Sequence, residues 1–350
     1  MSARPRVCLC GAQVPFSTGG AELLVASLRD ELERRGFEVE LVLLPFSWSS
    51  RTRILESALA WRLLDLDADG ERPIDLVIAT RFPSYVVRHP NKVVWLIHQF
   101  RQVYELEGTP YSDFGSLPDD EEVVGMIRRM DRRTLAEARR LCTISHNTAQ
   151  RLDRYLGLSG EAVYPPPALA DRLRQGEFGD YLLSVGRLDA MKRFDQLLAG
   201  LAASSGATRC VLVGDGPERG RLEAQARELG IAGRVEFAGR VDDERLIELY
   251  AGALAVFYAP FDEDYGYVTV EAFRAGKPVI TTDDAGGVLE FVRDGRNGLV
   301  CAPGARRQIG RAIDRLADDR DLARSLGAAG RRDVEAVTWD RVIETLTATL

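Results

Sequence analysis

Short runs rich in Val, Ile and Leu alternate with longer stretches in which apolar residues recur at helical spacing, from one end of the chain to the other. Continuous apolar runs suit strands covered on both faces, and the longer stretches suit crossover helices, so the fold class is α/β with parallel sheets. The pattern predicts strands at 7–10, 38–44, 76–79, 93–98, 141–145 and 162–164, with helices between them, the clearest at 21–35. Tyr164-Pro165-Pro166-Pro167 then breaks both periodicities, because three consecutive prolines offer no backbone donors and fix an extended path. The alternation restarts beyond this hinge, with strands predicted at 181–185, 210–213, 235–237, 255–258, 278–281 and 299–301.

A length of 350 residues suits two domains of ordinary size. The expected organisation is a first domain over 1–164, a linker over 165–178, a second domain over 179–335, and a terminal helix over 336–350 placed to cross back to the first domain. Two Rossmann-like, doubly wound sheets of this kind turn the carboxyl ends of their strands toward a central cleft, where ligands bind.

Composition narrows the picture without changing it. With 45% hydrophobic and 28% charged residues the chain is folded throughout, and its apolar runs fall short of the roughly 20 residues that cross a bilayer. The stretch Met1-Ser2-Ala3-Arg4-Pro5-Arg6 lacks the apolar region and cleavage site of a secretory signal, so a cytoplasmic location is expected. Cys8, Cys10, Cys142, Cys210 and Cys301 are odd in number and fall mostly in predicted strands, where thiols pack as small apolar groups; neither disulfides nor zinc is expected. A net charge of −7 opposes nucleic-acid binding. Arg128, Arg129, Arg132, Arg133, Arg139 and Arg140 follow the acidic run 119–122 in one predicted helix, the order that the helix dipole favours, so the bland reading is a solvated helix. A weak peripheral contact with an anionic membrane surface is the alternative.

The richest stretch runs from Pro260 to Ala272, reading as strand, tight loop and helix. Gly266 permits close backbone approach, and the free amides of Tyr267 and Val268 at the helix start suit a diphosphate. Glu263 and Glu271 can then face one ligand, one accepting hydrogen bonds from a sugar ring and the other from a ribose. Spacing alone serves equally well for two solvated helix-face glutamates. A second element, Ser184 to Lys192, leaves a strand end at Gly186 and sets Arg187 and Lys192 where a departing diphosphate gains charge, which two cations can neutralise in place of a metal.

These residues resemble the retaining family-four (group 1) glycosyltransferases. The resemblance rests on Glu263 and Glu271 with Gly186-Arg187 and Lys192 upstream, then Val213-Gly214-Asp215-Gly216-Pro217, Phe237-Ala238-Gly239-Arg240-Val241, Gly286-Gly287-Val288-Leu289-Glu290, Gly295 and Gly298-Leu299-Val300. It covers nearly all of the second half. In the first half it rests on Gly19-Gly20-Ala21-Glu22, His98 and Ser145-His146-Asn147-Thr148-Ala149. Pro166 and Pro167 depart from it, standing where an asparagine and a glycine are usual, which bears on the linker more than on the chemistry.

The resemblance implies the GT-B fold and a metal-independent transfer from a nucleoside-diphosphate sugar, with no cofactor. It implies that Arg187 and Lys192 bind the diphosphate, Glu271 the ribose and Glu263 the transferred sugar. Gly20, next to Gly19, approaches the phosphates from the opposite domain and His98 touches the sugar. The base is expected against backbone near Val241 and Gly214. The acceptor bears a hydroxyl and is a saccharide, a lipid-linked sugar or a small molecule. Two other readings fit the same residues: a coupling enzyme or epimerase of this fold acting on nucleotide (pseudo)sugars, and a catalytically silent nucleotide-binding partner subunit.

Three further signals carry less. Asp65-Leu66-Asp67-Ala68-Asp69-Gly70 imitates a calcium loop, but Leu76 stands where that loop needs a glutamate, so a solvated turn is expected. The run Gly214 to Gly220 imitates a dinucleotide fingerprint with its last glycine one residue late. His89, His98 and His146 are too widely separated to form a local metal pair, and no metal site is expected.

Overall fold

The computed structural model describes residues 4–16, 19–48, 50–70 and 72–350. Met1, Ser2 and Ala3 of the amino-terminal stretch lie outside the described residues. The chain divides into two compact units, one made of the residues up to Ala168 together with Val337–Leu350, the other of Leu169–Ala336.

In the first unit, β1 (Arg6–Gln13), α1 (Gly20–Arg34), β2 (Glu38–Pro45) and α2 (Arg51–Leu63) are followed by a hairpin of β3 (Ala68–Asp69) and β4 (Arg72–Pro73), then β5 (Leu76–Ala79), β6 (Lys92–Leu96), α3 (Asp120–Ala136), β7 (Arg140–Thr143), α4 (His146–Leu156) and β8 (Glu161–Ala162). Its parallel sheet has the order β2-β1-β5-β6-β7-β8. The central strands β5 and β6 are buried along their whole length, Lys92 of β6 included, whereas edge strand β2 is exposed or half-buried throughout and tolerates Pro45 at its end. The Asp65–Gly70 run enters the β3-β4 hairpin, with the Asp67 amide donating to Asp65 Oδ1 at 3.1 Å.

The second unit repeats the plan with β9 (Tyr181–Val185), α5 (Phe194–Ala203), β10 (Arg209–Val213), α6 (Arg219–Glu228), β11 (Val235–Gly239), α7 (Asp243–Gly252), β12 (Ala255–Phe257), α8 (Tyr267–Arg274), β13 (Val279–Thr282), β14 (Gly298–Cys301), α9 (Arg306–Asp318) and α10 (Arg320–Asp333). Its sheet order is β11-β10-β9-β12-β13-β14, so the direction of winding reverses between β9 and β12. Each unit has its own core. Cys10, Trp61, Val77 and Leu96 belong to the first, and Leu182, Leu197, Phe257 and Ile280 to the second. The five cysteines are buried thiols on β1, β7, β10 and β14.

Helix α11 (Trp339–Thr347) packs on the first unit although it follows the whole of the second in sequence. Val342, Ile343 and Leu346 are buried, and the Trp339 ring meets Trp95 edge-on at 6.3 Å between centroids. Arg35 pairs with Asp340, and Asn91 Nδ2 donates to the Thr349 carbonyl at 3.3 Å.

Several element ends differ from expectation for identifiable reasons. The strand predicted at 93–98 ends at Leu96, and the Ile97 amide donates to the Thr80 carbonyl at 2.7 Å, so His98 stands beyond the strand. The arginine-rich helix ends at Ala136 rather than running to Arg140, because the Arg139 amide is captured by the Lys92 carbonyl at 2.8 Å and Arg140 opens β7. Arg129, Arg132 and Arg133 on α3 are exposed, while Arg128 donates to Val103 and Glu107. Among the described residues no helix is long and apolar enough to cross a membrane.

Candidate active site

In an open doubly wound sheet the crevice at the reversal of winding, outside the carboxyl ends of the strands, is where ligands sit. In the second unit this is the space above β9 and β12, and the loops that leave these strands carry Arg187, Lys192 and Glu263.

The β9 loop is shaped by backbone packing. Gly186 donates to the Val213 carbonyl at 3.0 Å, and a Cβ on Gly214 would lie 1.9 Å from the Gly186 oxygen, so only glycine permits this approach. A Cβ on Gly216 would similarly lie 2.3 Å from the Leu188 oxygen. The glycines that imitate a dinucleotide fingerprint thus serve the contact between two loops. Gly214 donates in turn to Gly239 at the end of β11, and Val241 follows, partly buried, before α7 begins.

Past Gly186 the chain exposes Arg187, whose side chain makes no hydrogen bond or ion pair with the described residues. A turn capped by Asp189, which accepts from the Lys192 amide at 3.1 Å, then sets Lys192. The Lys192 ammonium donates to Glu263 at 2.5 Å and to the Tyr258 hydroxyl at 3.3 Å. Burial works against its charge, but the Glu263 carboxylate and the Tyr258 oxygen outweigh that and hold its pKa above the ordinary lysine value. The Tyr258 hydroxyl is itself pushed up, first by burial and then by Glu263.

Glu263 is held by its backbone as well as its side chain. Its amide donates to the Ala285 carbonyl at 3.2 Å, its carbonyl accepts from Gly287 at 2.7 Å, and the preceding Asp262 amide donates to Asp284 at 3.0 Å. The Gly286-Gly287 segment therefore extends the β13 edge into the site. Helix α8 starts at Gly266, which has φ 89° and no side-chain cap, so the amides of Tyr267 and Val268 head a helix whose dipole favours an anion. A Cβ at Gly266 would meet Val288 at 2.9 Å.

On the same helix, Glu271 accepts a hydrogen bond from the Tyr250 hydroxyl at 2.6 Å. Burial raises its pKa, and the Tyr250 bond offsets part of that rise. Glu263 and Glu271 are thus not solvated helix-face residues. Each is fixed by a separate partner, Lys192 for the first and Tyr250 for the second.

Arg193 carried no signal in the sequence. It adopts φ 51°, a left-handed conformation costing a residue with a Cβ about 1–2 kcal/mol, and its guanidinium is drawn inward to 7% exposure. Tyr250 and Tyr258 were missed for the same reason: their partners lie on other elements. Among the described residues, no group of three His, Cys, Asp or Glu is placed to hold a metal ion.

His98, Gly19 and Gly20 belong to the first unit. His98 is partly buried and its Nδ1 lies 2.7 Å from the Gln99 carbonyl oxygen. Gly19 caps α1, its amide donating to Glu22 at 2.8 Å, and Gly20 is the first residue of that helix; Glu22 also pairs with Arg81. His89 is a loop residue, its Nδ1 accepting from the Asn91 amide at 3.0 Å, and His146 heads α4 against the Tyr164 ring.

Two parallel six-stranded sheets of this topology define the GT-B class. The profile of the family described as glycosyl transferases group 1 matches residues 171–333. A D-inositol 3-phosphate glycosyltransferase of Nocardia farcinica is 28% identical over 249 residues, 65% of this chain and 53% of the relative. The lipopolysaccharide core biosynthesis glycosyltransferase LpsE of Rhizobium meliloti is 36% identical over 150 residues, 43% of each chain. The chain thus spans about half the length of these curated relatives. Among solved structures, sucrose-phosphate synthase from Thermosynechococcus elongatus superposes with a TM-score of 0.73 at 20% identity, covering 99% of this chain and 100% of that one. Anabaena HepE, in complex with UDP and glucose, gives 0.72 at 19% identity, covering 99% and 100%. The family match falls within the second unit, Leu169–Ala336.

Proposed function

We propose that this chain transfers a sugar from a nucleoside-diphosphate sugar to a hydroxyl-bearing acceptor, with retention of anomeric configuration and without a metal ion. The observation that carries the reading is the pairing of Lys192 with Glu263 at the β9–β12 crevice, on the loop that also exposes Arg187. Both cations can meet a diphosphate whose other oxygens take the first amides of α8. Binding of UDP by HepE supports a nucleoside-diphosphate leaving group. Glu263 then holds the transferred sugar and Glu271 the ribose, with Gly186, Gly214 and Val241 lining the nucleotide.

In the transfer, the acceptor oxygen bonds to the anomeric carbon as the bond from that carbon to the diphosphate oxygen breaks. The departing phosphate takes the acceptor's proton, so no enzyme carboxylate becomes a covalent nucleophile, and Arg187 and Lys192 stabilise the charge that develops. The names of relatives, for D-inositol 3-phosphate and for lipopolysaccharide core biosynthesis, support an acceptor that is a saccharide, a lipid-linked sugar or a small hydroxylated molecule.

Arg187→Ala and Lys192→Ala should each lower turnover at least ~100-fold, the scale of losing one preorganised charge stabiliser. Donor affinity should fall less. Near-parental turnover in both variants removes them from the mechanism. Activity should persist in excess EDTA, and NMR of the product should show the donor's anomeric configuration. A strict requirement for added magnesium or manganese, or an inverted product, overturns the corresponding part of the reading.

A further inference from the structure

Arg193 is the residue after Lys192, yet its side chain faces away from solvent. Its Nε donates to the Ala259 carbonyl at 2.9 Å and its Nη2 to the Pro260 carbonyl at 2.6 Å. The fork closes on both oxygens of Asp284, each at 2.7 Å, and reaches Thr282 Oγ1 at 3.1 Å. Thr282 in turn donates to Asp284 at 2.8 Å. One planar cation therefore ties the β9 loop to the loop after β12 and to the end of β13.

These are the segments that define the proposed donor site. Asp284, gripped through its carboxylate, accepts from the Asp262 amide through its carbonyl, next to Glu263. From the other side the Phe261 amide donates to the Met191 carbonyl at 2.8 Å, next to Lys192. Lys192 and Glu263 thus stand on two loops joined through Arg193 and Asp284 on one side and Met191 and Phe261 on the other. The left-handed backbone at Arg193 turns its side chain inward while Lys192 faces Glu263.

We propose that Arg193, with Asp284, is a positioning residue for the transfer: it touches no substrate and sets the spacing of Lys192 against Glu263. This rests on the reading that Lys192 and Glu263 serve the donor. A lysine keeps the charge but cannot reproduce a bidentate grip and two carbonyl contacts, so Arg193→Lys loosens the joint without leaving Asp284 unpaired. Asp284→Asn is the companion variant, keeping size while removing one of the two charge-assisted bonds.

Turnover is followed with UDP-glucose, GDP-mannose and ADP-glucose, and hydrogen exchange over 258–264 and 282–287 is measured without any ligand. Arg193→Lys should lower kcat at least ~10-fold, with KM for the donor changed less than about threefold, because misplacement acts on the reacting geometry more than on binding. In a Lys192→Ala background the same change should add nothing, since the group being positioned is gone. Exchange should quicken in those two segments in both variants while the melting temperature stays near that of the parent. Unchanged exchange there, or a full multiplicative loss on top of Lys192→Ala, overturns the positioning role. Parental turnover in Lys192→Ala, or a parent that consumes none of the three donors, instead removes the donor-site reading, and the role of Arg193 in transfer falls with it whatever the exchange shows.

Discussion

Lys192 and Glu263 neutralise one another, so a donor that engages one must leave the other satisfied. Tyr258 stands ready for this, since its hydroxyl already meets the lysine. Glu271 poses a different problem, because its pKa is raised by burial while its proposed partner, a ribose hydroxyl, needs the ionised form. Nucleotide affinity should therefore decline on acidification at a higher pH than an ordinary glutamate would dictate. Tyr250→Phe removes the bond that lowers this pKa, so the acidic decline should move to still higher pH. Calorimetric titration with UDP and GDP across pH checks this, and an unmoved decline separates Glu271 from the ribose. At this scale the positions of Arg187, Lys192, Glu263 and Glu271 were legible, because three lie on loops that leave strands and the fourth on the helix that follows. Arg193, Tyr250, Tyr258 and Asp284 were not, since their roles arise from contacts between elements that no local spacing encodes.

Helix α3 shows how an element can hide a cost. Asp131 is fully buried on its inner face and accepts from the Tyr104 hydroxyl at 2.8 Å, yet burial pushes its pKa up to about 7. With the folded value above the ordinary aspartate value, the folded state binds the proton more tightly. Its stabilising contribution is fully present below the unfolded pKa and is lost as pH rises through about 7. Asp131→Asn keeps a neutral hydrogen-bonding group, so the melting temperature should match that of the parent near pH 4, exceed it increasingly up to about pH 7 and stay above it by a steady margin beyond. A constant difference across that range places the cost elsewhere. The elements themselves were largely readable, and the runs at 76–79 and 181–185 are strands with those bounds, because buried parallel strands leave unbroken apolar blocks. The β3-β4 hairpin escaped notice because strands of two residues have no period to detect.

For the whole molecule the main fact is that residues 337–350 complete the core of the first unit. Val342, Ile343 and Leu346 are buried there, and full burial of such side chains contributes roughly 1.5–3 kcal/mol each. Removing 337–350 should therefore destabilise the first unit by several kcal/mol on that scale while sparing the second. Calorimetry paired with proteolysis mapped to each unit tests this, and equal destabilisation of both units overturns it. The same feature constrains how the protein comes into being. On the ribosome the first sheet emerges early but lacks one helix of its surroundings until all of 169–336 has been made, during which the second unit can fold by itself. The part synthesised first is the part finished last, and until then the surface awaiting α11, including the Trp95 ring, is open to aggregation or to capture by a chaperone.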